Sequence, residues 1–258
     1  MAEVLKNKVA IVTGGGSGIG KSIASIFAAS GSKIYLFDIN EEQGTSTCDE
    51  IIKSGGKAEF INCNIADPVS VKKAVEKVLK NESRIDILVN NAGISHVGNI
   101  EQTTSEDMDK LFSVNVKGMF HITKEIIPQM VESGGGVILN LASIVAKVGI
   151  AERFAYTMTK GAVLSMTLSI AKDYIDKNIR CNCICPARVH TPFVDDYLTK
   201  NYAGREKEVF ENLSKFQPIG RMGKPDEIAK FALFLCSDDS SFITGATYDI
   251  DGGVMNLR

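Results

Sequence analysis

The sequence predicts an α/β fold, a doubly wound parallel sheet of about seven strands with helices on both faces. Three observations carry that expectation. Short runs rich in β-branched residues alternate with longer segments of helical periodicity from one end of the chain to the other. The first run ends in the glycine-rich turn Gly14-Gly-Gly-Ser-Gly-Ile-Gly20, which opens directly into a helical pattern. No Pro/Ser linker, internal repeat or composition break divides the 258 residues, so residues 1–258 read as one domain.

In chain order, a first strand at 7–13 is followed by a helix at 18–30, then a strand at 33–38 and a helix at 41–54. A strand at 57–62 leads to a helix at 68–81, for which Asp67 is a capping residue and Pro68 a first-turn proline. Strands at 85–90 and 136–141 flank a long helical pattern at 105–132; a helix at 154–177 precedes a strand at 179–184. The helices show apolar residues three and four apart, and the strands are continuous apolar runs of the kind buried on both sides in a parallel sheet. After Pro186 the rhythm changes. Residues 191–214 remain helical but carry Asp195, Asp196, Arg205, Glu206, Lys207 and Glu208. Residues 188–216 therefore read either as a lid over a ligand at the carboxyl end of a strand or as a solvated surface helix. A core pattern resumes at 225–236, and a last strand at 247–251 ends at Gly252-Gly253.

Charge and composition narrow the function classes. With 29 Lys+Arg against 31 Asp+Glu the chain has no basic field for nucleic acid or an anionic membrane. The start of the sequence has no apolar signal region and no apolar run is long enough to span a bilayer, so a cytoplasmic protein is expected. Six cysteines in such a protein read as reduced thiols. Cys181, Cys183 and Cys185 alternate along a strand and fall on one face, more in keeping with a buried apolar surface than with a zinc site, whose compact ligand spacing is missing; no metal is expected.

The glycine turn lies between a strand and a helix, where backbone N–H groups and small residues let a pyrophosphate approach. Asp38, at the end of the second strand, suits the ribose hydroxyls of NAD and repels the additional phosphate of NADP, which makes this a Rossmann-type dinucleotide site with NAD as cofactor. Tyr156 and Lys160 are four residues apart on one helix face, so the ammonium is expected to lower the phenol's pKa and make it a usable base. Ser143 ends the fifth strand at the same sheet edge, where its hydroxyl would hold a substrate oxygen.

Taken together, Thr13-Gly14, Gly18-Ile-Gly20, Asn90-Asn-Ala-Gly93, Asn115, Ser143, Tyr156, Lys160, Pro186 to Pro192 and Asp251-Gly-Gly253 resemble the short-chain dehydrogenase/reductase family over nearly the whole chain. The resemblance implies Tyr156 as catalytic acid/base, Ser143 as carbonyl orienter, Lys160 as ribose clamp and pKa depressor, and Asn115 as holder of a proton-relay water. It implies cofactor contacts from Gly14, Ser17, Gly18, Ile19, Gly20, Asp38, Asn64, Ile65, Asn91, Ala92, Gly93, Tyr156, Lys160, Pro186, Val189 and Thr191. Two positions depart from the family pattern: Ala187 stands where glycine is common, and Asn64 where Asp is usual. A homotetramer is implied, with the long helices pairing across a two-fold axis.

The predicted reaction moves a hydride between the nicotinamide and a secondary alcohol or ketone. The predicted substrate is a small hydroxy acid or sugar acid, because Arg153, Arg188 and Arg205 fall in loops around the predicted cleft and arginine grips a carboxylate with paired hydrogen bonds. Surface salt bridging is the competing reading for Arg205, beside Glu206 and Glu208. Arg153 with residues 179–186 resembles cytosolic 3-hydroxybutyrate dehydrogenases. The loop from Pro186 to Pro192 is more similar to bacterial keto-deoxy sugar-acid (fuconate-type) dehydrogenases, whose ligands would use His96 and His190; His121 reads as structural. Three alternatives remain open: a 3-oxoacyl-(acyl-carrier-protein) reductase, a neutral sugar dehydrogenase, and a non-catalytic NAD-binding scaffold.

Overall fold

Alternation along β1 (Val9–Thr13) sends Ala10 and Val12 to one face of the sheet and Val9 and Ile11 to the other. A computed structural model, describing residues 3–257, continues this pattern through α1 (Gly18–Ala29), β2 (Lys33–Asp38), α2 (Glu41–Lys53), β3 (Lys57–Asn62) and α3 (Pro68–Asn81). The chain goes on through β4 (Ile87–Asn90), α4 (Ser105–Phe112), a π-helical segment Ser113–Gly118, α5 (Met119–Glu132), β5 (Gly136–Leu141), α6 (Phe154–Asp173) and β6 (Ile179–Pro186). It ends with α7 (Pro192–Asn201), α8 (Glu206–Lys215), α9 (Pro225–Cys236) and β7 (Thr247–Ile250).

The seven strands form one parallel sheet in the order β3-β2-β1-β4-β5-β6-β7, the doubly wound architecture the sequence predicts. On one face, Ile23 and Phe27 of α1 and Ile228 and Leu235 of α9 pack against Ala10, Val12, Ile34 and Leu36. On the other, Val71 and Val78 of α3 and Ile122 and Ile126 of α5 cover Ile11, Tyr35 and Phe37. The strand order reverses between β1 and β4, so their carboxyl ends part at a crevice, the place where open parallel sheets bind ligands.

Buried polar groups lock that edge. Asn90 donates through Nδ2 to Asn140 Oδ1 (2.9 Å) and Thr123 Oγ1 (3.1 Å), and Asn140 Nδ2 donates to Thr167 Oγ1 (2.9 Å), tying β4 and β5 to α5 and α6. At the opposite, amino end of β6, half-buried Arg180 donates to the carbonyls of Leu235 (3.0 Å), Ser237 (3.1 Å) and Ile243 (3.1 Å), placing a cation at the carboxyl end of α9. All six thiols are free and buried, and Cys181, Cys183 and Cys185 lie on the sheet face opposite Ile184. Among the described residues no helix is long and apolar enough to cross a membrane, and no three His, Cys, Asp or Glu side chains cluster as a metal site.

The helical pattern at 105–132 is not one continuous α-helix: the π-helical turn inserts an extra residue at Ser113–Gly118. Gly118 permits the close approach there, since a Cβ would lie 2.7 Å from Ile65 Cδ1. The predicted helix at 191–214 is two helices, separated by a turn in which Gly204 adopts φ +82°. The last strand stops at Ile250; Asp251 instead accepts from the backbone N–H groups of Gly253 (2.9 Å) and Met255 (2.7 Å).

Candidate active site

A cavity of about 490 Å³ opens at the carboxyl ends of the strands. Its floor is the glycine turn. Thr13 Oγ1 accepts from the backbone N–H of Asn91 and Ala92 (both 3.1 Å), and Asn91 Nδ2 donates to the carbonyls of Thr13 (3.0 Å) and Gly14 (2.9 Å). These bonds hold the turn against the end of β4. Gly14 has φ +64° and lies so close to Ala92 that a Cβ would be 2.8 Å from its Cα. At Gly20 a Cβ would be 2.1 Å from the Gly14 carbonyl oxygen, so Gly20 serves the packing of α1 on the turn and does not line the cavity.

Asp38 is held by two backbone donors, Gly16 N to Oδ2 (2.9 Å) and Asn40 N to Oδ1 (3.0 Å). The carboxylate keeps lone pairs for further donors, as a diol would require. Ser17 caps α1 without a side-chain bond, leaving first-turn N–H groups for an anion, and Gly18 comes within 3.2 Å of Thr191 Cγ2 when given a Cβ. A dinucleotide fits this cradle: space left by glycine, orphan N–H groups at a helix start, and a fixed carboxylate one strand away. Gly14, Ser17, Gly18, Ile19, Asp38, Asn64, Ile65, Asn91, Ala92, Gly93, Pro186, Val189 and Thr191 all line the cavity, as do Ser143, Tyr156 and Lys160.

Ser143 caps a short turn after β5 and shares a hydrogen bond with Tyr156. Desolvation pushes the Tyr156 phenol up to about 12, against the Ser143 hydrogen bond and the charge of Arg153. Lys160 is buried beneath it, donates to the Leu141 carbonyl (2.8 Å) and stands 5.7 Å from the phenol ring. Burial lowers the ammonium to about 8. The expected lowering of the phenol by Lys160 is thus not what this structure shows: the ammonium is anchored to a carbonyl, and burial of the phenol prevails. Asn115 does not line the cavity; its Oδ1 accepts from Ile94 N (2.8 Å) and its Nδ2 donates to Ile94 O (2.8 Å) and Thr159 Oγ1 (3.0 Å). Its side chain braces the loop after β4.

The arginines divide. Arg153 and Arg188 line the cavity, while Arg205 is exposed immediately before α8 and pairs with Glu208 at 2.9 and 3.0 Å. An arginine three residues before a glutamate on a helix meets it directly, which is why Arg205 is turned away. Burial, and then the charge of Arg153, hold the Arg188 guanidinium below its ordinary pKa, and its Nε is buried without a partner among the described residues. His96 and His190 do not line the cavity either. Asp107 lies 3.5 Å from His96 Nδ1, and Asp195 on the first turn of α7 takes His190 Nε2 at 2.9 Å. His121 contacts the Ile65 carbonyl (3.2 Å). Phe193, Val194, Tyr197 and Phe216, none of them expected from the sequence, close the cavity from the lid segment; the three- and four-residue spacing of Phe193, Val194 and Tyr197 on α7 was a signal for those three, and Phe216, just past α8, had none.

A family model described as enoyl-(acyl carrier protein) reductase matches residues 14–255. An uncharacterized oxidoreductase of Thermotoga maritima is 41% identical over 249 residues, covering 96% of this chain and 97% of that one. The 3-oxoacyl-(acyl-carrier-protein) reductase of the same organism is 37% identical over 251 residues, covering 97% and 99%. Among solved structures, the L-sorbose reductase of Gluconobacter frateurii complexed with NADPH and L-sorbose superposes with a TM-score of 0.94 at 31% identity, covering 99% of each chain.

Proposed function

The chain belongs to the short-chain dehydrogenase/reductase family, an oxidoreductase family that binds a nicotinamide cofactor, and from that premise we propose an NAD-dependent dehydrogenase of small hydroxy acids or sugar acids. Two guanidiniums, Arg153 and Arg188, beside the Ser143–Tyr156 pair carry the acid reading. Asp38 supports NAD, because a carboxylate fixed by two backbone donors would face the phosphate of NADP.

When bound, the nicotinamide supplies or accepts the hydride at the carbon bearing the oxygen. Ser143 Oγ holds that oxygen and the Tyr156 hydroxyl moves its proton. At about 12 the phenol is protonated at neutral pH, ready to donate to a ketone oxygen. Removing a proton from an alcohol requires positive charge beside the phenol, which Lys160 supplies only on leaving the Leu141 carbonyl, where it does not lower the phenol. Asn115 keeps the loop at Ile94 in register with α6 through Thr159.

Residues 1–258 form one catalytic domain in this reading, with 188–216 as its lid. The enzyme is cytoplasmic and acts on a small molecule, with no nucleic-acid or membrane partner, in keeping with its formal charge of −2. Exposed Phe120, Met158 and Leu168 on α5 and α6 support a homotetramer, which light scattering tests. A second reading, reduction of a 3-oxoacyl thioester, is favoured by the 37% identity to the Thermotoga reductase; acetoacetyl thioester with NADPH assays it. The deciding experiment for the acid reading is Arg153→Met. It should raise KM for the acid about tenfold or more and leave KM for NAD within twofold. Normal handling of the acid by that variant refutes the reading.

A further inference from the structure

Tyr197 stands on α7 with its ring beneath the Arg153 guanidinium, whose Cζ is 5.5 Å from the ring centroid. Its hydroxyl lies 3.2 Å from that of Tyr202, the rings meeting edge-on at 5.6 Å, and it also hydrogen-bonds the Arg153 side chain. Arg188 approaches the same space from the β6–α7 loop, its Cζ 5.6 Å over the Phe216 ring. The loop before α6 and the consecutive β6–α7 loop and α7 thus bring two cations and a phenol to the same cavity. Among the described residues neither guanidinium has a carboxylate within ion-pair distance, and the two cations repel each other.

We propose that Tyr197 is a specificity-determining residue, whose hydroxyl joins Arg153 and Arg188 in binding the substrate's carboxylate so that the acid draws α7 over the cavity. The inference rests on the acid reading above. A carboxylate has two oxygens and about four acceptor sites, enough for a guanidinium fork, a second guanidinium and a phenol O–H. Placed there it also neutralises the facing cations. A neutral alcohol does neither: it leaves the repulsion in place and offers the phenol only a weak acceptor. The phenol is suited to the task. Burial pushes its pKa up, but the hydrogen bonds from Tyr202 and Arg153 and the charges of Arg153 and Arg188 outweigh burial and hold it below the usual value. Such an O–H is a stronger donor toward an anion. Because Phe193 and Val194 share α7 and also line the cavity, a ligand that fixes Tyr197 fixes the apolar cover as well.

The test uses the whole enzyme and Tyr197→Phe, which keeps the ring under Arg153 and deletes only the hydroxyl. The probes are 3-hydroxybutyrate and lactate against their methyl esters, and gluconate against glucose. Wild type should prefer acids, and Tyr197→Phe should raise KM for the acid about tenfold with kcat within twofold. KM for the neutral partner and the Kd for NADH should stay within twofold, which separates this role from cofactor binding. In hydrogen exchange of the NADH complex, adding the acid should protect α7 in wild type and not in the variant. An equal rise in KM for acid and neutral probe, or unchanged acid preference in Tyr197→Phe, overturns the assignment of Tyr197 alone. A wild type that prefers no acid to its neutral partner overturns the acid reading and this inference with it.

Discussion

Replacing Asp38 with asparagine removes one negative charge while keeping the side chain's size and one acceptor oxygen. In the native protein both carboxylate oxygens are in use, Oδ2 by Gly16 N (2.9 Å) and Oδ1 by Asn40 N (3.0 Å). Asparagine keeps one of these bonds, so the fold should lose about 1 kcal/mol and the thermal midpoint a few degrees. The effect on cofactor choice is larger. A doubly charged phosphate about 5 Å from a carboxylate is repelled by about 1.7 kcal/mol at the dielectric of water and by about 7 at that of a protein surface. Even the lower figure is about a 15-fold preference. Wild type should therefore use NAD at least about 15-fold more efficiently than NADP in kcat/KM, and Asp38→Asn should move that ratio toward NADP by a similar factor. Raising the salt should shrink the wild-type ratio, since part of the repulsion is screened. The assay is initial rates with both cofactors at saturating substrate. A wild-type ratio within about threefold of one, or a variant ratio equal to wild type, refutes the reasoning.

Tyr156→Phe deletes the proton carrier and should lower turnover by about 10²–10⁴ with little change in NADH affinity by fluorescence titration; retained turnover would reassign the acid/base. Arg180→Leu removes three hydrogen bonds to the carbonyls of Leu235, Ser237 and Ile243, which keep their bonds from Ser240 Oγ and Asn182 Nδ2, so at about 1 kcal/mol per bond the cost is about 3 kcal/mol; calorimetry should show a fall of roughly 6–12 °C, and one under about 2 °C contradicts the capping role. Lys160 is buried with its pKa lowered to about 8 from 10.5, so above pH 8 the folded protein releases a proton that the unfolded chain keeps until about 10.5. Its unfavourable contribution is full below pH 8 and shrinks as pH rises through that window. The stability advantage of Lys160→Met over wild type in urea melts should narrow there by roughly 1.4 kcal/mol per pH unit, and a gap that does not change with pH contradicts the assignment.

Much of this protein is determined locally, and that part is legible in the chain. The alternation of strands and helices follows from apolar periodicity, and the parallel sheet follows from the alternation. Gly14, Gly18 and Gly20 at the end of the first strand, with Asp38 at the end of the second, mark the glycine turn and fixed carboxylate that a dinucleotide would fit, because backbone shape and strand position specify them. Tyr156 and Lys160 share a helix face by spacing alone.

What spacing cannot decide is which way a long side chain points. The sequence offers Glu208 to Arg205 as a near neighbour, and the structure makes that pair, but it gives no comparable sign that Arg153 and Arg188 meet over the cavity. His190 is drawn off by Asp195, five residues on, and His96 by Asp107, eleven residues on, and in both the pairing depends on the turn the chain takes between them. The π-helical turn that carries Asn115 is a one-residue insertion against Ile65 and Ile94, invisible to a periodicity of 3.6. The directions in which the Tyr156 and Lys160 pKa values move likewise depend on tertiary structure. Their adjacency is a local property, but desolvation depends on everything packed around both groups, and it raises the phenol and lowers the ammonium regardless of how close in sequence they lie.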